Sequence, residues 1–161
     1  MSLFRRGEHD SPVSTAPADT GDSPAALRTS IVALNRFINA SAGRLPVAAV
    51  VKARQVTDVL NEIIDTSDVR PLDIYAVISI KATVNDYLPT TLRSYLAVDA
   101  ALLDAPRPSG RTPVQSLLEQ LQTLEDSAHA LLAGAQQQDV DALMTQGSFL
   151  STKFSGSDLD L

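Results

Sequence analysis

The chain has 161 residues, enough for one domain with a substantial core. Its 13 Lys and Arg stand against 19 Asp and Glu, a net charge of −6 that argues against general binding to nucleic acid or to an anionic membrane. The absence of cysteine excludes disulfides, thiol nucleophiles and Cys-ligated metals, and two histidines leave little for a His-rich metal site.

Residues 1–23 are rich in Ser, Thr, Pro, Ala and Asp, and after Phe4 only Val13 is strongly apolar. Such a segment buries too little surface to offset its ordering entropy and is expected to be a disordered tail. Leu3-Phe4-Arg5-Arg6 is the one place in it where a recognition arm would be built. The first thirty residues hold no apolar run of signal-peptide length, and no stretch approaches the ~20 residues of a bilayer span. The expected location is cytoplasmic.

The remainder is dominated by Leu and Ala, 21 of each in the whole chain, the strongest common helix formers. Pro24, Pro46, Pro71, Pro89 and Pro113 each stand at the start of a periodic segment, where a missing N–H costs nothing. With a further start at Asp139, they predict about six helices over 24–155, followed by a frayed end at 156–161.

The first helix, Pro24 to Gly43, carries Leu27, Ile31, Leu34 and Ile38 on one face. The second, Pro46 to Thr66, has awkward periodicity: Val47, Val50 and Val51 share a side with Arg54 and Asp58, while Val56, Val59, Leu60, Ile63 and Ile64 point elsewhere. Two halves packing against different neighbours explain that better than a kink. The third, Pro71 to Leu88, is apolar almost all round, the pattern of a central buried helix. Its β-branched run Ile74–Val84 suits a strand by propensity, but no second strand flanks it. A fourth helix follows Pro89 with Leu92, Tyr95, Leu96, Leu102 and Leu103, and Ala105–Arg111 is a loop. Thr112 caps the fifth helix, whose apolar stripe runs from Val114 to Ala135. Asp139 is expected to cap the sixth, with Val140, Leu143, Gly147, Leu150 and Phe154 on its face. The fold class is an all-α antiparallel helical bundle.

Charge is sorted along the chain. Residues 24–54 hold five bases, Arg28, Arg36, Arg44, Lys52 and Arg54, and no acid, whereas the segments after them are net acidic. Either these bases pair internally with the acidic middle, or the first two helices show a basic face to an acidic protein partner. The five residues are the candidate partner surface. Phe37 is the one aromatic among them, too little to stack nucleobases, so nucleic acid is not the expected partner.

No catalytic, cofactor-binding or metal-binding set emerges. His129 follows Glu125 by four residues, half of a metal site with no second histidine to complete it. Asp58, Glu62 and Asp65 form an acidic row without the Glu-x-x-His pairs of a di-iron bundle. Asp139 and Asp141 lack calcium-loop spacing, Lys81 suits an edge position, and the seven glycines form no phosphate loop.

The segment Asn85-Asp86-Tyr87-Leu88-Pro89-Thr90-Thr91-Leu92, set between two helices, resembles the 5-bromo-4-chloroindolyl phosphate hydrolysis (Xpa-type) family of bacterial proteins. There a Tyr-Leu-Pro-Thr element joins two helices, a long Leu-rich helix follows, and an Asp-rich turn opens a last short helix. Val114–Ala135 and Asp139-Val140-Asp141 are the counterparts, and the resemblance spans about residues 45–155. It implies a stress-related, partner-dependent role beside a toxic-anion resistance system, and by the family's name a phosphatase-like activity, with no catalytic residues to carry over. Many members bear N-terminal membrane spans, which this sequence does not show. On residue chemistry alone, Tyr87 and Leu88 plug a corner where Pro89 ends the third helix. The expected function is that of a non-enzymatic adaptor without cofactors. A phosphatase-like hydrolase and a self-associating structural protein are the rivals.

Overall fold

The computed structural model describes residues 21–157, so most of the expected tail and the last four residues lie outside the described residues. Five α-helices occur among the described residues: α1 Pro24–Ser41, α2 Val47–Asp65, α3 Ile74–Ala82, α4 Leu88–Leu96 and α5 Pro113–Ser157. No strand occurs among them, Ile74–Val84 included. The elements form an all-α bundle of four rods running alternately up and down, because α3 and α4 join end to end.

Local chemistry explains α1. Ser23 Oγ accepts from the Ala26 N–H at 3.1 Å, Pro24 fills the first turn, and Leu27, Ile31, Leu34 and Ile38 are all buried. Helix α2 returns antiparallel to it, with Arg28 beside Asp65 at 2.8 Å across their shared end. Arg93 of α4 lies over the Phe37 ring at 5.1 Å, tying the third rod to α1.

The expectation for the second helix is corrected. Its inward face is single and continuous, Ala49, Ala53, Val56, Leu60, Ile63 and Ile64, while Val47 and Val51 are exposed. Two alanines, not the valines, continue the buried row at the 4-3-4-3 spacing of one helix face. Small side chains there let α2 lie close against its neighbours. The one polar group in this row, the Thr57 hydroxyl, is 2.8 Å from both Asn35 Oδ1 and the Arg54 carbonyl oxygen.

The expected end of the third helix at Leu88 is also corrected. A π-helical turn, Thr83–Tyr87, carries α3 directly into α4 without a break. A proline inside an α-helix removes one i→i−4 bond and clashes with the carbonyl four residues back. The wider i→i+5 turn just before Pro89 absorbs both, so the rod runs on through it. Thr90 donates to Asp86 Oδ1 at 3.2 Å across the junction. Leu88 is buried as a corner plug, but Tyr87 is 54% exposed. Nor is α3 buried all round: Ile74, Tyr75 and Ile78 are all more than half exposed. A bundle of four rods covers only one side of each, and α3 has more apolar surface than one side. Leu102 lies in a short 3-10 turn, Ala100–Leu102, after α4 has ended.

No sixth helix begins at Asp139. Helix α5 is continuous for 45 residues, about 67 Å at 1.5 Å per residue. Its start is a reciprocal cap, the Gln115 N–H donating to Thr112 Oγ1 and the Thr112 N–H to Gln115 Oε1. Leu117, Leu121, Ala128 and Leu132 are buried on its stripe. Asp139 is not a cap but an ion-pair partner, 3.0 Å from Arg70. Beyond it α5 leaves the bundle, and Val140, Leu143, Met144, Phe149 and Leu150 are exposed. Among the described residues no helix is long and apolar enough to cross a membrane.

Candidate functional site: a groove between α3 and α5

The exposed side of α3 and the π turn faces a groove of about 630 Å³ whose far wall is α5. Leu60 of α2 forms its floor, Tyr75, Ile78 and Tyr87 stand on one wall, and Leu124 and Leu131 on the other. The wide π turn slows the helical rotation per residue, so Thr83 and Tyr87 stay over the row begun by Tyr75 and Ser79. Ala82, Ala128, Gly134 and Ala135 leave the space between the walls unfilled, because none has a side chain long enough to bridge them. At Gly134 a Cβ would meet nothing within 4 Å, so its backbone borders open space.

At the end of the groove lined by Asp73, Ala135 and Gln138 lies Arg70, in the connection between α2 and α3. Its guanidinium reaches Gln138 Oε1 at 3.1 Å and Asp139 Oδ1 at 3.0 Å, and Gln138 donates onward to Asp73 Oδ2 at 3.3 Å. Asp73 is already committed, its Oδ1 accepting from the Ala76 N–H at 2.8 Å as the cap of α3. Two of the groove hydroxyls are spoken for too: Thr83 donates to the Ser79 carbonyl at 2.9 Å and Ser127 to the Thr123 carbonyl at 2.9 Å, while Tyr75, Ser79 and Tyr87 carry the others. What the groove offers is chiefly apolar and aromatic surface. Its volume is that of ordinary ligand and peptide-anchor sites, about 300–1,000 Å³.

The five bases singled out from the sequence do not act together here. Arg28 pairs with Asp65, Lys52 reaches Glu125 at 3.2 Å and also Gln122, and Arg54 donates to Asn39 at 3.4 Å. Arg36 and Arg44 are exposed and carry no ion pair among the described residues. The half metal site is likewise taken apart: Glu125 is largely buried against Lys52, and His129 Nε2 lies 3.9 Å from it. Asp58 and Glu62 are exposed, and Lys81 pairs with Asp22. Among the described residues no group of three or more His, Cys, Asp or Glu is placed to hold a metal.

A second, more polar hollow of about 310 Å³ lies between α4, the loop after it and the start of α5. Arg107 and Arg111 line it with the hydroxyls of Thr91, Ser94 and Tyr95. The loop closes on itself, the Gly110 N–H donating to the Arg107 carbonyl at 2.8 Å, with Gly110 at φ 78 where a side chain would be strained. Arg111 pairs with Glu119 at 2.8 Å. Burial, and then the nearby charge of Asp104, raise the Tyr95 phenol above its ordinary value of 10.0. The folded state thus holds this proton more tightly than the unfolded chain. The stabilisation is complete below pH 10.0 and is lost as pH rises toward the folded value. Urea midpoints taken below and above that pH should fall less steeply for Tyr95→Phe than for the parent chain.

Sequence reasoning missed the groove. The signal was present in the all-round apolar character of 74–87, which fits an exposed apolar face as well as a central position. No family model matches the chain, and no curated protein or solved structure is significantly similar to it.

Proposed function

We propose that this chain is a non-enzymatic helical protein-interaction module, a cytoplasmic adaptor that seats an apolar element of a partner protein between α3 and α5. The observation that carries this is the groove itself, with Tyr75, Ile78 and Tyr87 left in water beside it. Contiguous exposed apolar surface of this kind marks interaction sites on soluble domains, and aromatic side chains are the usual anchors. The groove's lining is chiefly apolar, with no imidazole and with Asp73, the cap of α3, as its carboxylate. The resemblance noted in the sequence supplies the biological setting, a stress response in which such a module accompanies a toxic-anion or envelope-stress system.

Ile78→Asp places a charge on the groove wall at a site 58% exposed, so the bundle itself should tolerate it. Affinity capture from cells expressing the parent chain should recover a protein that Ile78→Asp fails to hold and that the double reversal Arg36→Glu, Arg44→Glu still holds. Loss with the charge reversal and retention with Ile78→Asp would move the partner surface to α1 and overturn the groove reading.

The rival, phosphate-ester hydrolysis, has its footing in the polar hollow, where two guanidinium groups suit a phosphate. No carboxylate or imidazole stands among the hollow's lining side chains to act as base or nucleophile. Turnover of a chromogenic phosphate with divalent metals, abolished by Arg107→Ala with Arg111→Ala, would establish the rival.

A further inference from the structure

The free end of α5 is a second unpartnered surface, separate from the groove. From Asp139 to Ser157 it extends about 28 Å past the last bundle contact at 1.5 Å per residue. Val140, Leu143 and Leu150 are exposed along it with Gly147 between them, at 3-4-3 spacing, and Met144 flanks the row. This segment has little helical drive of its own. Gly147 and its Ser and Thr residues are weak helix formers, and an isolated helix of this length is marginal in water. A Cβ at Gly147 would meet nothing within 4 Å, so nothing inside the chain requires a glycine there.

We propose that this segment pairs with the same segment of a second copy, antiparallel about a two-fold axis near residue 145. In that register Val140 lies against Leu150 of the second copy, and Leu143 fills the space over its Gly147, so large meets small in each layer. Met144 meets its own counterpart across the axis. On the other flank Asp139 comes level with Lys153 of the second copy. Lys153 carries no ion pair among the described residues, and Asp139 has a second carboxylate oxygen besides the one facing Arg70. A parallel pairing does worse on each count. It stacks Gly147 on Gly147, leaving a void, and sets Asp139 beside Met144 instead of a base. Besides Asp139, Met144 and Lys153, the flanks of the row hold Gln146 and Ser151, so no like charges face each other across the pair. His129, Ala133 and Gln136, on the same side of α5, are exposed, so the bundle leaves room for the second copy's end.

The absence of cysteine makes the register directly readable. Sedimentation equilibrium of the full chain should show a monomer–dimer equilibrium. Leu143→Glu should weaken it by at least tenfold, about 1.4 kcal/mol, and Lys153→Glu by a smaller factor, with the bundle's unfolding unchanged in both. Under mild oxidation, Met144→Cys should cross-link to itself. Leu143→Cys and Gly147→Cys should cross-link when mixed and poorly when alone. A chain that stays monomeric at about 100 µM, well above the micromolar range of a modest interface, would overturn the proposal. Cross-linking of Leu143→Cys and Gly147→Cys each with itself would overturn the antiparallel register.

Discussion

Leu121→Ala is expected to lower the unfolding free energy by about 3 kcal/mol, within the 2–5 kcal/mol of large-to-small core changes. Leu121 is fully buried and is the central anchor of the stripe by which α5 lies along α2, its most extensive contact in the fold. Truncation removes the apolar side chain and leaves a cavity that two helices cannot close without shifting their whole length. With a urea m-value of about 2 kcal/mol/M, the midpoint should fall by about 1.5 M, followed by circular dichroism. A loss under about 1 kcal/mol would mean that α5 is held by its ends instead of its stripe.

The opposite change, Ala53→Leu, should cost about 1–3 kcal/mol by overpacking. Ala53 has no exposed surface, and the close approach of α2 to its neighbours is set by Ala53 and Ala49. Extra methylenes there have nowhere to go without moving a helix. Val51→Leu, two residues away on the same helix and half exposed, is the control and should change stability by less than about 0.5 kcal/mol. Equal effects from the two substitutions would contradict the inward face assigned to α2.

Those two positions also mark where the sequence was legible. The stripe containing Leu121 is long, leucine-rich and strictly periodic, and its burial follows from that pattern alone. Ala53 was invisible because alanine reads as a helix former whether it faces core or water, and the neighbouring valines carried a stronger but misleading signal. Pro89 misled differently: it marks a helix end in most contexts, and only the extra residue of a π turn lets the chain continue through it. Asp139 resembled a cap because capping is a local habit of Asp, whereas its actual partner, Arg70, is distant in sequence. The groove was hidden for a related reason. Apolar residues on every side of a segment say that burial is desirable, not which side a four-rod bundle leaves bare. The bases at Arg28, Lys52 and Arg54 were sortable only once Asp65, Glu125 and Asn39 were beside them.

That a single unbroken helix serves both as a wall of the bundle and as an arm beyond it has a thermodynamic consequence. Up to Arg70's clamp on Asp139, melting of α5 is tied to the cooperative loss of the core, and its midpoint is indifferent to dilution. In the proposed dimer, helicity past the clamp depends on a bimolecular contact, so it should grow with protein concentration and vanish first on warming. Ellipticity of such a dimer would be the sum of a unimolecular and a mass-action signal carried by the same rod.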